Sequence, residues 1–274
     1  MKKILIPTDF SKKSYQTINY IVELFKNERC AFYFLNTYTF DAYGLNAIEL
    51  LQADDDWFDK PQENSLNNLG SLLKKYSGIG TNFRHQYHVI SEYATLVKGI
   101  EMHIDNLNID LLVLKGNRVI SKNIKDIVDK IRTCPVLIVP PCALVNKTLN
   151  LTITSTFKDQ VRTFGIDTFL EILKNTNFVI NILVLDNNKT LTTEAEGYLQ
   201  RLINHLKSFS NKKIKVVHTK KMLNLKDYAV SHLNEILCVT DKKPDVFRRV
   251  GLSQSAVIST LKSLQHNLVL TIHQ

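Results

Sequence analysis

Lys2-Lys3-Ile4-Leu5-Ile6-Pro7-Thr8-Asp9-Phe10-Ser11 begins with an apolar run halted by a proline, the pattern of a buried strand that ends in a turn. A helix should follow it. Ser11 stands where an N-cap is needed, and Ile18, Ile21, Val22 and Phe25 recur at helical spacing, setting one apolar stripe against a sheet. Outward from there the same alternation continues. Phe32 to Leu35 reads as a strand, and after a long polar stretch Leu69, Leu72, Leu73 and Tyr76 repeat the helical spacing. Residues 84–90 make a third strand, and Val97, Ile100, Ile104 and Leu107 a third helix. Leu111-Leu112-Val113-Leu114 is apolar on both faces, as a central parallel strand must be. Ile124, Ile127, Val128 and Ile131 then give a fourth helix, and Val136 to Val139 a fifth strand.

Pro140-Pro141 ends this unit, and the order starts again. Leu151 to Ile153 stands where Ile4 to Ile6 stood, and Ile166, Phe169, Leu170 and Leu173 reproduce the first helical stripe. Phe178 to Leu185 is the second strand of the copy. Leu199, Leu202, Ile203 and Leu206 form its next helix, opened by the capping box Thr193-x-x-Glu196. Strand 214–218, a short helix near 225–233, strand 236–239, a helix through Val257, Ile258, Leu261 and Leu264, and strand 268–271 complete it. The reading is therefore α/β: two tandem doubly wound, Rossmann-like domains, 1–145 and 146–274, each with a parallel five-stranded sheet. Ligands of such sheets sit beyond the carboxyl ends of the strands, where strand order reverses.

The 274 residues are 44% hydrophobic and 22% charged, which suits a packed globular protein and excludes disordered and fibrous classes. No stretch approaches a membrane span, and Pro7 and Asp9 interrupt the first apolar run too early for a signal peptide, so a cytoplasmic location without membrane contact is expected. Cys30, Cys134, Cys142 and Cys238 lack CxxC spacing and read as reduced structural thiols. Residues 149–274 carry 17 Lys and Arg against 10 Asp and Glu, so most of the net charge of +9 lies in the second half.

Chemistry-bearing patterns are sparse. GxGxxG, GxxxxGK[ST], HExxH and GxSxG do not occur, so nothing points to an enzyme. His85 and His88 fall on one strand and should face opposite ways, against shared metal ligation. Asp54-Asp55-Asp56 lacks the spaced ligands and turn glycine of a calcium loop and reads as a solvated loop, with Trp57 and Phe58 as candidates to anchor it on the neighbouring domain. Lys212, Lys213, Lys215, Lys220, Lys221, Lys242, Lys243, Arg248 and Arg249 form the densest basic cluster. No aromatic ladder or reading motif accompanies them, which argues against nucleic acid as the partner.

The first half resembles the universal stress protein family through Lys2 to Ser11, Ile109-Asp110-Leu111-Leu112-Val113-Leu114 and Cys134-Pro135-Val136-Leu137-Ile138-Val139-Pro140. The second half resembles it as a degenerate copy, with Ser155-Thr156-Phe157 in place of Thr8-Asp9-Phe10. The resemblance implies strand order 3-2-1-4-5 in each domain, as in adenine nucleotide alpha hydrolase-like folds, and a tandem chain that imitates the family's dimer. It implies that Val136 to Val139 pair with Leu268 to Thr271 as fifth strands, leaving further homodimerisation open. It also implies ATP or AMP as ligand at Pro7, Thr8, Asp9, Thr37, Gly116 and Asn117, with Asp9 toward ribose and base.

This sequence departs from the family's G-x2-G-x9-G-[ST] turn after strand four. Gly116 remains in Lys115-Gly116-Asn117-Arg118, but the loop is several residues shorter, leaving Lys115, Arg118 and Lys122 to attract a small anion. In the second copy, Gly251 and Ser253 stand at the motif's end, with Arg248 and Arg249 nearby, and Thr156 replaces the carboxylate. The expected function is a non-enzymatic stress-response binding protein with weak or lost ATP binding, acting on a protein partner or a small anion. A nucleotide-hydrolysing or autophosphorylating member and a nucleic-acid binder are the alternatives.

Overall fold

The computed structural model describes residues 1–40, 55–78, 83–117, 120–141, 143–185, 191–210, 213–219, 222–241 and 256–273. The first run comprises β1 (Lys2–Pro7), α1 (Lys12–Leu24), β2 (Cys30–Tyr38), α2 (Asp55–Ser77), β3 (His85–Tyr93), α3 (Leu96–Leu107), β4 (Leu111–Lys115), α4 (Lys122–Lys130) and β5 (Val136–Val139). The second comprises β6 (Leu149–Ser155), α5 (Phe164–Ile172), β7 (Phe178–Leu185), α6 (Thr193–Leu206), β8 (Lys215–Thr219), α7 (Met222–Ser231), β9 (Ile236–Asp241), α8 (Ala256–Ser263) and β10 (Leu268–His273).

All of these strands lie in one sheet, in the order β3-β2-β1-β4-β5-β10-β9-β6-β7-β8. Each five-strand set is parallel and ordered 3-2-1-4-5, as predicted. They join through an antiparallel pair in which Val269 faces Ile138, Leu270 faces Leu137 and Thr271 faces Val136. That pairing covers two edges that would otherwise expose unpaired backbone groups.

Strand alternation explains the two cores. Ile4 and Ile6 face one layer with Ile18, Ile21, Leu69 and Leu72, while Leu5 faces the other with Ile100, Ile104, Ile127 and Val128. The first layer continues without a break into Ile166, Phe169, Leu202 and Leu206, and the second into Leu225, Ala229 and Leu261. Helices cover both faces, so strands apolar on both sides are fully buried. Polar links cross between the two runs as well. Glu28 is 3% exposed, and its carboxylate accepts from Asn175 N (2.8 Å), Asn175 Nδ2 (2.9 Å) and Thr176 Oγ1 (2.7 Å). Arg132 Nη1 donates to Asp241 Oδ2 at 2.8 Å.

Two local expectations are corrected. The α6 cap is Thr192, whose side chain accepts from Ala195 N, so Thr193 is the first helical residue and no capping box forms. Asp55 and Asp56 open α2 instead of lying in a loop. The helical backbone runs from Asp55 straight through Pro61, which overrides the loop-like look of this polar run. Asp54 and the side chains of Trp57 and Phe58 lie outside the described residues.

Candidate functional site

β1 and β4 are neighbours, yet the chain leaves them toward opposite faces: α1 packs with Ile4 and Ile6, whereas α4 packs with Leu5. A crevice opens between the two departures, as expected for a doubly wound sheet. The turn after β1 is tied down on every side. Thr8 N donates to the Leu35 carbonyl (2.8 Å), Asn36 Nδ2 donates to the Thr8 carbonyl (2.8 Å), and Phe10 N donates to Thr8 Oγ1 (3.1 Å). Phe10 takes the left-handed conformation, φ 58°. An aromatic residue seldom adopts it, and such strain persists only where surrounding contacts enforce it. Ser11 then caps α1 by accepting from Ser14 N at 3.3 Å.

The crevice holds a cavity of about 350 Å³. Pro7, Thr8, Asp9, Thr37 and Asn117 all line it, so five sequence-predicted residues separated by up to 110 positions meet at one place. Lys115, one of the expected anion-attracting cations, joins them, and Asn36, Ser121 and Asn123 add polar groups that local sequence does not single out. Leu96, Leu114, Ile124 and Ile127 supply an apolar wall. Thr37 is brought close by Gly99 on α3, where a Cβ would come within 2.7 Å of Thr37 Cγ2.

Asp9 is the chemical centre of the cavity. Its Oδ2 takes the Lys115 ammonium, and its Oδ1 accepts from Ser11 Oγ (2.7 Å), Ser11 N (3.2 Å) and the Ser14 hydroxyl. Burial favours the neutral acid, but the hydrogen bonds from Lys115, Ser14 and Ser11 outweigh it and hold the carboxyl well below the usual carboxylate range. Lys115, expected to attract an anion, is thus engaged with a carboxylate of its own chain. Lys13 Nζ reaches Asn117 Oδ1 at 3.4 Å across the same mouth.

The sign of the pH effect follows from the lowered Asp9 value. A carboxyl more acidic folded than unfolded adds stability above the ordinary carboxylate range and loses it as pH falls through the folded value. Asp9→Asn is therefore expected to flatten the fall of Tm between about pH 4 and pH 2. Thermal melts of both proteins across that range check it, and identical acid limbs would remove Asp9 as a contributor.

Gly116, which does not line this cavity, closes the turn after β4. Its N–H donates to the Val139 carbonyl at 2.7 Å, and a Cβ there would lie 3.0 Å from that oxygen and 3.2 Å from Pro140 Cα. Glycine lets the β4 turn close onto the end of β5, and its amide is taken up in doing so.

The second run copies the turn without its charge. Phe157 N donates to Ser155 Oγ at 3.1 Å and Phe157 has φ 53°, matching Phe10, but Thr156 stands in place of Asp9. Gly251, Ser253, Arg248, Arg249 and Arg118 lie outside the described residues, as do Cys142, Lys212, Lys220, Lys221, Lys242 and Lys243. Lys213 precedes the edge strand β8 and Lys215 begins it, both exposed.

The remaining candidates behave as structural groups. His85 packs on Phe32 (5.0 Å between rings) and His88 stacks on Tyr33 (4.6 Å), on opposite sheet faces. His85 Nε2 donates to the Phe25 carbonyl at 3.0 Å. Cys30, Cys134 and Cys238 are buried and free, and burial pushes the Cys30 and Cys134 thiols up to about 12, far from thiolate chemistry. Among the described residues no helix is long and apolar enough to cross a membrane.

No protein-family model and no curated protein matches the chain in sequence. Solved structures do match its fold. A universal stress protein from Archaeoglobus fulgidus aligns over 99% of this chain and 96% of its own, with a TM-score of 0.70 at 12% identity. Two proteins from Pseudomonas aeruginosa also align along the whole chain. One, provisionally described as a universal stress protein, covers 93% of its own length at TM-score 0.62 and 9% identity. The other, of unknown function, covers 92% at TM-score 0.61 and 10% identity. At these identities the likeness is one of fold, a Rossmann-like architecture shared along the full two-run chain.

Proposed function

We propose that this chain is a tandem universal stress protein, built of units 1–145 and 146–274, that works in the cytoplasm as a non-enzymatic stress-response binding protein. Its ligand cavity is the one around Asp9 and Thr37, and its hold on the phosphates of ATP is weak or lost. The supporting observation is the state of the backbone donors at that cavity. A polyphosphate is gripped where several N–H groups converge on it. Here the amides of Thr8, Asp9, Phe10, Ser11 and Gly116 all have partners within the protein. The segment from β4 to α4 is only residues 116–121, several residues shorter than the family's glycine-rich turn.

The cavity volume lies at the low end of the range of small-molecule sites, roughly 300–1,000 Å³. Its mixed lining suits a nucleoside-sized compound or a small anion better than a triphosphate, and a protein partner would read its occupancy.

Calorimetric titration of ATP and AMP into the full chain tests this. The expected result is no saturation by ATP below about 1 mM, corresponding to binding weaker than about −4 kcal/mol. Micromolar ATP binding, or nucleotide that co-purifies and loses its terminal phosphate, would overturn it in favour of a nucleotide-using member.

A further inference from the structure

Lys115 ends β4 with its ammonium on Asp9 Oδ2 and 3.3 Å from Ser11 Oγ, and its side chain is about a quarter exposed. Asp9 and Lys115 both line the cavity. A carboxylate at the rim of a pocket is its strongest acceptor for a ligand hydroxyl, since hydrogen bonds to a charged oxygen are about twice as strong as neutral ones. In this protein that acceptor already has an occupant, supplied by the same chain. The remaining Asp9 oxygen is filled by Ser11 and Ser14.

We propose that Lys115 is a tethered competitor that sets the affinity and selectivity of this cavity: a neutral, hydroxyl-bearing molecule of nucleoside size gains Asp9 only by displacing the Lys115 ammonium. The proposal rests on the reading that this cavity is the ligand site. Because the competitor is attached to the strand beside its target, its effective concentration is on the order of millimolar or higher and cannot be diluted away. The ion pair thereby lowers the affinity of the cavity for neutral ligands below what its lining would otherwise give. Removing the ammonium frees Asp9 without touching the wall formed by Leu96, Leu114, Ile124 and Ile127. Lys115 becomes the residue that determines specificity, and any partner or modification that neutralises it would open the site.

The test is adenosine binding by the full chain in four forms: wild type, Lys115→Ala, Lys115→Met, and Lys115→Ala combined with Asp9→Asn. Calorimetry should show adenosine binding at least tenfold more tightly to Lys115→Ala than to wild type. Lys115→Met, which keeps the stem and loses the charge, should share the gain, and the combined variant should lose it. Thermal melts identify which variants remain folded, and either single variant suffices to read the gain over wild type. No gain in a folded single variant, a gain in Lys115→Ala that a folded Lys115→Met does not share, or a gain that survives Asp9→Asn would each overturn the competitor role. Weaker binding by Lys115→Ala than by wild type would also overturn it, by making Lys115 a ligand contact. Tight ATP binding by wild type strikes the functional reading instead, so the two fail by different measurements.

Discussion

Ile138→Asp is expected to cost about 5 kcal/mol and to loosen the joint between the two five-strand sets. About 2 to 3 kcal/mol of this is the lost burial of the isoleucine side chain, and the remainder is the desolvation of a carboxylate. Ile138 sits opposite Val269 in the antiparallel pair and is 8% exposed. It lines a cavity of only about 20 Å³ shared with Leu261, Leu264 and Val269. That space holds about one water molecule, too little to solvate a charge. A urea titration should show a lowered midpoint, and proteolysis should appear in the connection at 143–148. Unchanged protease resistance with an unchanged midpoint would show that the β5–β10 pair does not hold the halves together.

Arg132→Ala should destabilise the same joint by about 3 kcal/mol through a different mechanism, the loss of a cation from a buried carboxylate. Asp241 is 1% exposed and receives Arg132 Nη1 at 2.8 Å, while Arg132 Nη2 lies 3.4 Å from the Asp241 carbonyl. His273 Nδ1 is 3.5 Å away on the neighbouring strand. Arg132→Lys should recover only part of the loss, since an ammonium cannot reproduce the forked contact to side chain and backbone. Adding Asp241→Asn to Arg132→Ala should restore stability relative to Arg132→Ala alone, because the uncompensated charge is gone. Additive losses in that double-mutant cycle would show that the two residues are not coupled.

Much of this fold was legible because its strands are buried on both faces and its helices on one. Ile4-Leu5-Ile6 and Leu111 to Leu114 could only be central strands, and stripes such as Ile18, Ile21 and Phe25 could only face a sheet. The cap at Ser11 was readable because it acts within three residues. Errors arose where short-range signals compete. Thr192 and Thr193 are equivalent as letters, and only the backbone geometry chose the first. The start of α2 looks like a loop in sequence because its residues are polar and Pro61 follows closely.

The candidate site divides along the same line. Resemblance in the β1 turn pointed to Pro7, Thr8 and Asp9, and the reversal of strand order pointed to the β4 turn. The pairing of Asp9 with Lys115 was not readable, because it spans 106 positions and depends on where β4 lies beside β1. Gly116 was legible as a notable glycine, while the close approach that requires one there was not. The oxygen it must approach belongs to Val139, across a strand pair that exists only after folding.

Order along the chain thus determined the two β-α runs, their handed crossovers and the corner where a ligand would sit, because periodicity and connection rules act on neighbouring residues. Tertiary structure alone decided the register in which the two sets meet, Ile138 against Val269 and Val136 against Thr271, and that the cavity's carboxylate is held by a lysine of the same chain. Charges and edges distant in sequence acquire partners only when packing brings them within ångströms of each other.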